Sequence, residues 1–522
     1  MQIDVTRFFT TDTTVITYIN ELINNYEARI KELELKNREQ EEEIHLLQYK
    51  RFARSAEQIL AEKNQPLLFT EGEARSTAEK KEIEFTEVAS HKRNKKGRKA
   101  IAAAIERREK VIDISEEEKT CACGAQMTRI GEETSEKLVI IPMSIYVEKT
   151  IRPKYACRCC EGTEDEDKPS VRIAPVEASI IPRSIVSPSL LSTIISQKFE
   201  MHLPYYRQEK QFRSIGIVIS RQDMSNWQQK AYAALDPLFV LLKEVVKSGP
   251  ILQMDETTVQ VMGEEDRKDT QKSYMWLARG GPPGKTVIWY EYHTTRAAEH
   301  AIKFLQGYRG YLQTDGYEGY DAAVKALPGI VHVGCFAHCR RHFFEAAKVS
   351  EQSASAEEGI NHIKRLYGIE KALRERYPQE EQREVFTRVR QMSAWRPLKE
   401  FKEWLEELND KVPPSLLLGK AIHYSLAQWN KMVRYLESPY LTPDTNAAEN
   451  AIRPFVLGRA NWLFNKSPGG ADSSCGMYTL IETAKRNGHV PFKYLMALFE
   501  RAPLAKTPED WEKLLPWNIF NS

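Results

Sequence analysis

Apolar residues in the first fifty positions alternate three and four residues apart, which is the spacing of a heptad repeat. The flanking positions from Glu27 onward are mostly charged, and Asn37 falls at an a position, where a polar residue fixes register and favours two strands. The pattern predicts a coiled-coil helix within residues 1–63 that joins the chain into a homodimer or larger assembly. An amphipathic helix packed on the chain's own body is the alternative. The predicted seam consists of Ile16, Ile19, Ile23, Tyr26, Ile30, Leu33, Asn37, Gln40, Ile44 and Leu47.

Between residues 248 and 347, short β-prone segments alternate with helical patterns. A Gly/Pro cluster at 280–284 predicts a turn between two of the strands. Three consecutive strands followed by helix, strand, helix and strand is the order of an RNase H-like α/β domain. Such a core would bring Asp255 and Asp315 to neighbouring strands. The first predicted strand begins at residues 251–254 and continues through the β-prone residues 257–261. The other predicted strands cover residues 274–277, 287–290, 310–314 and 330–334, and the predicted helices cover residues 297–305 and 321–327.

Three acidic side chains are candidates for metal chemistry. Asp255 and Asp315 stand at the ends of predicted strands, and Glu449 stands on a later helix. Hard cations such as Mg²⁺ take oxygen ligands, and a metal pair about 3.5–4 Å apart can clamp the attacking and leaving oxygens of a phosphodiester. We therefore expect these carboxylates to hold two Mg²⁺ (or Mn²⁺) ions, although an acidic residue is more often a solvated surface group.

The segment between Asp315 and Glu449 spans residues 316–448, which is too long for one crossover of a compact domain. Residues 348–440 are helical in pattern and predict a helical insertion, followed by the core's last helix region at 441–475 and a C-terminal helical region at 476–522. Arg453 lies four residues after Glu449 and therefore on the same helix face. With Arg459 and Lys466 it is expected to contact DNA phosphates near the cut.

A helix-turn-helix is predicted within residues 176–247. One helix covers residues 206–214, Gly216 gives the turn, and Ser220 is a plausible N-cap of the second helix. A merely solvated polar face is the alternative to DNA reading. The side chains of types that read base edges in a major groove are Arg221, Gln222, Ser225 and Asn226. Residues 64–110 are expected to form a basic linker.

Cysteines cluster within residues 111–175. Paired thiolates from two knuckles make a closed tetrahedral zinc site, so one structural Zn²⁺ is predicted, with Cys159 left out of the ligand set. The single residue between the first two cysteines is tighter than the usual knuckle, and unligated structural cysteines are the alternative. The predicted ligands are Cys121, Cys123, Cys157 and Cys160.

A second cluster comprises Cys335, His338, Cys339 and His342. Because it falls at the end of a predicted buried strand, packing and hydrogen bonding are favoured over metal binding. His338 is expected to act beside the active site without touching the substrate.

Composition agrees with a large globular protein. The chain has 522 residues, 42% hydrophobic and 28% charged, with a net charge of +2, so several domains are expected. No stretch approaches the roughly 20 apolar residues of a membrane span, and the N-terminus has no signal-like apolar region. We expect a cytoplasmic protein without membrane contact.

Three blocks carry a family resemblance: residues 314–317, residues 334–343 and residues 448–455, together with Asn461-Trp462-Leu463-Phe464 and the segment 480–485. They resemble the insertion-sequence 66 family of DDE transposases over roughly residues 115–500. The resemblance implies that Asp255, Asp315 and Glu449 are the catalytic triad. The expected architecture is multidomain α+β, an RNase H-like core with a helical insertion, preceded by coiled coil, zinc module and helix-turn-helix.

The same resemblance implies a transposase that cuts element ends and joins their 3′-hydroxyls to target DNA. Its expected partners are the terminal inverted repeats, the target DNA and accessory proteins encoded by the same element. A catalytically silent DNA-binding regulator and a simple RNase H-like nuclease are the alternatives. The nuclease leaves the zipper, zinc module and helix-turn-helix unexplained.

Overall fold

The computed structural model describes residues 13–52, 145–156, 171–349 and 353–520. It is a mixed α+β structure in which most of the described residues are helical. Its strands are β1 (Lys154–Ala156), β2 (Val171–Ile173), β3 (Ile251–Gln260), β4 (Lys272–Gly280), β5 (Val287–His293), β6 (Gly310–Gln313) and β7 (Ile330–Val333).

The α-helices of the described ranges are numbered in chain order. They are α1 (Thr13–Phe52), α2 (Pro188–Phe199), α3 (Tyr205–Ser214), α4 (Arg221–Ala234), α5 (Asp236–Lys247), α6 (Ala298–Leu305), α7 (Glu318–Ala326), α8 (Phe336–Val349), α9 (Ser353–Arg376), α10 (Arg383–Asn409), α11 (Leu417–Met432), α12 (Asn446–Trp462), α13 (Pro468–Arg486), α14 (Pro491–Arg501) and α15 (Pro508–Glu512). Short 3-10 turns occupy Glu380–Gln382, Val433–Glu437 and Ala502–Leu504.

A five-stranded mixed sheet is the centre of the larger unit, which comprises residues 1–74 and 177–522. Its strand order is β5-β4-β3-β6-β7. Within this sheet β4 pairs antiparallel with both β3 and β5, whereas β6 pairs parallel with both β3 and β7. The strands and helices predicted between residues 251 and 334 are confirmed to within a few residues.

Helix α13 covers the open edge of the sheet along β5. An exposed edge strand presents unpaired backbone groups that invite association. Here Thr483 Oγ1 accepts a hydrogen bond from Ile288 N at 3.1 Å, and Thr479 Oγ1 accepts one from Tyr290 N at 3.0 Å. The two threonines are four residues apart and so share one helix face. These bonds hold α13 against the edge strand, and nearly every residue of α13 after its first turn is buried.

The predicted helical insertion is confirmed as α9, α10 and α11, which pack with α8 around a second apolar core. A buried guanidinium joins this core to the segment that precedes α12. Arg390 donates to the carbonyl oxygens of Ser438 at 2.5 Å and Leu441 at 3.1 Å, and pairs with Glu370 at 3.4 Å. The insertion is therefore fixed to the chain that leads into the helix of Glu449.

Helix α1 packs on this insertion through one face and leaves the heptad seam on another. Glu42 is buried and accepts a hydrogen bond from Leu417 N, at the start of α11, at 2.8 Å. Seam residues such as Ile30, Leu33 and Leu47 are exposed. The long helix is confirmed. The face that carries Glu42 packs on the chain's own body, as the alternative expected. The dimer through the heptad seam stays a prediction.

The helices of the predicted helix-turn-helix are confirmed. Helix α3 ends at Ser214, Gly216 has a φ of +83°, and α4 begins directly after Ser220. Ser220 forms a capping box, since its Oγ accepts from Asp223 N at 3.1 Å while Asp223 Oδ2 accepts from Ser220 N at 3.2 Å.

A smaller unit comprises residues 75–176. Its described part contains the antiparallel pair β1 and β2, with Lys154 opposite Ile173. The zinc ligands predicted at Cys121, Cys123, Cys157 and Cys160, and the linker predicted at 64–110, lie outside the described residues. In the described parts of the chain, no helix is long and apolar enough to cross a membrane.

Candidate active site

Two buried glutamines fix the relative position of the strands that carry the aspartates. Gln253 lies opposite Gln313 in the parallel pair β3–β6, and Gln253 Nε2 donates to Gln313 Oε1 at 2.8 Å. Gln313 Nε2 in turn donates to the carbonyl of Thr442 at 2.7 Å, in the segment before α12. Each catalytic candidate aspartate lies two residues after one of these glutamines. The polar pair therefore ties all three carboxylate-bearing segments together.

Asp255 differs in one respect from its prediction, because it lies in the middle of β3 rather than at a strand end. Parallel pairing with β6 stops at Gln253, but antiparallel pairing with β4 continues and sets Asp255 opposite Leu277. The longer partner strand on one side keeps the backbone extended. Asp315 follows the end of β6, as expected.

The backbone orients one oxygen of each aspartate. Asp255 Oδ1 accepts from Glu256 N at 2.9 Å, and Asp315 Oδ1 accepts from Tyr317 N at 3.0 Å. Burial, together with the negative charges of Glu256, Glu449 and Asp315, raises the pKa of Asp255 to about 7. The contributions of Glu449 and Asp315 indicate that both carboxylates lie within electrostatic range of Asp255.

Glu449 stands in the first turn of α12, beside α8. His338 Nε2 lies 3.6 Å from Glu449 Oε1, and Arg341 Nη2 lies 3.4 Å from the same oxygen. The start of α12 is anchored through Cys335, whose Sγ accepts hydrogen bonds from both the backbone N and the Oγ1 of Thr445 at 3.3 Å. Cys335, the residue before α8, thus anchors the start of α12, and α8 flanks the glutamate with His338 and Arg341.

The Cys335–His342 cluster packs, as favoured from the sequence. Cys339 Sγ lies 3.0 Å from Ser425 Oγ, and the ring of His342 lies 4.6 Å from that of Tyr424. Burial raises the pKa of both thiols to about 12. Both thiols are therefore protonated at neutral pH; Cys339 serves the packing of α8 on α11, and Cys335 anchors Thr445.

A second layer of ionic contacts escaped prediction. Glu256, on β3, is almost fully buried and forms an ion pair with Arg296 and a hydrogen bond with the Tyr320 hydroxyl. Arg296 Nη2 also lies 3.8 Å from Asp315 Oδ2, and its guanidinium lies 3.8 Å from the centre of the Tyr317 ring. The pairing joins residues forty positions apart, and no periodic pattern in the sequence signals it.

A buried polar chain supports Asp315 from behind. His332 Nε2 lies 2.8 Å from the hydroxyl of Thr314, the residue before Asp315, and His332 Nδ1 lies 2.9 Å from Asp321 Oδ1. Asp321 also pairs with Lys431 of α11 at 2.6 Å. These contacts link Lys431 of the insertion to Thr314, the residue before the candidate Asp315.

The basic residues expected to contact phosphates occupy different settings. Arg459 is half-buried, and its Nη1 lies 3.2 Å from the hydroxyls of Thr257 and Thr258 on β3. Arg453 is partly exposed on α12, and Lys466 is exposed in the following loop. On α4, Arg221, Gln222 and Asn226 are exposed and Ser225 is partly exposed. Contact of any of these side chains with DNA stays a prediction.

The carboxylates suit a divalent cation by chemistry, since they are hard oxygen donors. Within the described ranges, no group of three or more His, Cys, Asp or Glu side chains is arranged to hold a metal ion as it stands. Asp255, Asp315 and Glu449 are thus neighbours in an electrostatic sense without forming a closed ligand set.

Models of known protein families match most of the chain. A model of the family described as "Transposase IS66 family" matches residues 183–473, and one described as "IS66 C-terminal element" matches residues 479–517. The model "zinc-finger binding domain of transposase IS66" matches residues 118–161, which contain all four predicted zinc ligands. A further model, "Transposase C of IS166 homeodomain", matches residues 39–109 and so overlaps the expected basic linker.

Full-length relatives are similar over most of their length. Uncharacterized protein y4jD of Sinorhizobium fredii (strain NBRC 101917 / NGR234) is 30% identical over 419 residues, covering 78% of this chain and 79% of the relative. Uncharacterized protein y4hP of the same strain is 32% identical over 451 residues, covering 82% and 78%. Because the main family model spans more than half of the 522 residues and relatives at this identity cover most of the chain, the protein belongs to the IS66 family of transposases.

Proposed function

We propose that this protein is a DNA transposase that binds the terminal inverted repeats of its element, cleaves them by metal-dependent hydrolysis and joins the 3′-hydroxyls to target DNA. Asp255, Asp315 and Glu449 form its catalytic triad. The observation that carries the proposal is the placement of three carboxylates on β3, directly after β6 and on α12, where burial together with the charges of Glu256, Glu449 and Asp315 raises the pKa of Asp255 to about 7. Perturbed carboxyl groups of this kind cluster at functional sites.

The sheet supports an RNase H-like core. Three antiparallel strands are followed by two parallel strands, each reached through a helix, in the order β5-β4-β3-β6-β7. Asp255 stands on β3, and Asp315 follows the end of the adjacent strand β6.

The chain's own residues prepare the site for cations. Each aspartate has its Oδ1 held by a backbone N–H, so the other oxygen is oriented for a ligand. When bound, divalent cations would stabilise charge on the attacking and leaving oxygens of the phosphodiester. His338 and Arg341 flank Glu449, and the guanidinium of Arg341 offsets its negative charge.

End recognition is assigned to two regions. The exposed polar face of α4, with Arg221 and Gln222 at its start, suits insertion into a major groove. The homeodomain description of the model matching residues 39–109 suggests a second DNA-binding element there. One structural Zn²⁺ on Cys121, Cys123, Cys157 and Cys160, all within residues 118–161, would hold the zinc module together.

Pairing of two ends is assigned to a homodimer formed through α1. Exposed apolar residues such as Ile30, Ile44 and Leu47 lie on the heptad seam, away from the face that buries Glu42. Burial of this seam against a second copy would drive association.

The triad is tested by Asp255→Asn, Asp315→Asn and Glu449→Gln, with Asp410→Asn as a matched control because Asp410 is exposed at the end of α10. Each triad variant should lose at least about 100-fold in cleavage of end-containing DNA in Mg²⁺ while it still binds that DNA. The control should cleave normally. Near-normal joining by a triad variant removes that residue from the triad, and binding without cleavage by the wild type favours the silent regulator.

A further inference from the structure

We propose that Arg296 binds a phosphate group of the DNA strand that lies across the carboxylates, and so acts as a substrate-binding residue of the active site. This inference rests on the proposed function, since it assumes that DNA is the substrate. Arg296 lies in the loop between β5 and α6.

Three contacts hold the guanidinium in one place. Its Nε donates to Glu256 Oε1, its Nη2 pairs with the same oxygen, and its plane lies over the Tyr317 ring at 3.8 Å. The Tyr317 hydroxyl closes the arrangement by donating to the carbonyl of Arg296 at 2.5 Å. A planar guanidinium held by a carboxylate and an aromatic face loses little further freedom when it binds an anion.

Some N–H donors of the Arg296 guanidinium remain available for a ligand. Arginine carries five N–H donors. In the described structure the hydrogen bond and ion pairs of Arg296 use Nε and Nη2, and Nη2 approaches Asp315 Oδ2 only to 3.8 Å. The Nη1 group makes no hydrogen bond within the described ranges. The side chain is 39% exposed, whereas that of Glu256 is 2% exposed. The Nε–Nη2 edge of the guanidinium is thus held by Glu256 beside Asp315, whereas Nη1 keeps its donors free of bonds to the described residues, on a side chain that is partly exposed.

A purely structural arginine in the same chain looks different. Arg390 has a fully buried side chain, and its guanidinium is shared between a glutamate and two carbonyl oxygens inside the protein. If Arg296 served only to neutralise Glu256, the same enclosure would be expected. Its exposure beside Asp315 instead provides a positive charge where DNA must approach four carboxylates, and phosphate is an anion that arginine recognises well.

The decisive variant is the double substitution Glu256→Gln with Arg296→Gln, because it removes the cation without leaving a buried unpaired carboxylate. Arg296→Lys, which keeps the charge but loses the planar fork, and Glu256→Gln alone complete the set. The remote control is Arg365→Gln, since Arg365 is 52% exposed and pairs with Glu400 at 2.8 Å on the insertion. Thermal unfolding is measured for every variant.

The main readout is the salt dependence of binding to an end-containing duplex, measured by fluorescence anisotropy without added Mg²⁺ or Mn²⁺, which leaves the proposed structural Zn²⁺ in place. Loss of one phosphate contact reduces the slope of log K against log salt concentration by about 1. We expect this reduction in the double variant, with unchanged slopes in Glu256→Gln and Arg365→Gln. We also expect the double variant to cleave at least about 10-fold more slowly than Glu256→Gln.

A double variant with the wild-type slope would overturn the proposal and leave Arg296 as the counter-charge of Glu256 alone. Because the slope is measured without the catalytic Mg²⁺ or Mn²⁺, it does not depend on DNA cleavage. A wild-type protein that binds ends but never cleaves them would refute the transposase mechanism while leaving the Arg296 contact supported or refuted on its own evidence.

Discussion

Replacement of Gln313 by leucine tests whether the glutamine pair beneath the site positions the carboxylates. The substitution removes the partners of two buried groups, the amide of Gln253 and the carbonyl of Thr442, and also a longer bond of 3.4 Å to the carbonyl of Gly334. Each unsatisfied buried group costs about 1–3 kcal/mol, and the apolar leucine returns about 1–2 kcal/mol by its own burial. With the two short bonds counted at the middle of these ranges, we expect the free energy of unfolding to fall by about 2–3 kcal/mol.

The change is measured by urea unfolding followed through tryptophan fluorescence. The matched control is Gln391→Leu, which removes a similar amide-to-carbonyl bond of 3.0 Å at an exposed position and should cost less than about 0.5 kcal/mol. At temperatures where Gln313→Leu is folded, cleavage should fall by more than end binding does, because strand position and not the DNA surface is disturbed. Equal costs at the two glutamines would refute the positioning argument.

Three other predictions concern regions away from the sheet. Burial lowers the pKa of Lys198 to about 7. Between pH 7 and about 10.5 the unfolded chain therefore binds one proton more than the folded chain, and the free energy of unfolding should rise with pH across that window. Lys198→Met should flatten this rise when thermal unfolding is measured as a function of pH. Cys160→Ser should reduce zinc content and local folding, because the binding energy of structural zinc is folding energy; a purified wild-type protein without zinc by elemental analysis contradicts it. Ile23→Glu with Ile30→Glu should give monomers that bind single ends weakly but do not pair them; a dimeric variant in sedimentation would show that α1 is not the assembly element.

The elements that the sequence predicted best are those with a strong local pattern. The strands that surround Asp255 and Asp315 alternate or run apolar over several residues, and the turn before α4 has both a glycine and a capping serine. Hydrophobic periodicity is a property of neighbouring positions, so one sequence suffices to read it. The approach of Asp255 to Asp315 followed from the strand order for the same reason.

The contacts that the sequence did not predict join positions far apart along the chain. Gln253 and Gln313 interrupt apolar strands and weaken the strand pattern, although each satisfies the other in the fold. Arg296 and Glu256 carry charges that are ordinary on any surface. Glu42 looks like a solvated helix residue until α11 supplies its donor. Polar complementarity of this kind depends on three-dimensional neighbours and leaves no periodic signal.

The long insertion between Asp315 and Glu449 acquires a structural meaning from its polar ties. An insertion that only occupied space would contact the core through apolar surface, whose packing is tolerant of small shifts. Here Lys431 of α11 reaches Asp321 behind Asp315, and Arg390 of α10 holds the carbonyls of Ser438 and Leu441 just before the helix of Glu449. Polar contacts are directional, and buried ones are costly to leave unmade. The insertion is therefore tied both to the helix that follows Asp315 and to the chain before Glu449, and under the proposed function it positions the glutamate relative to the aspartates.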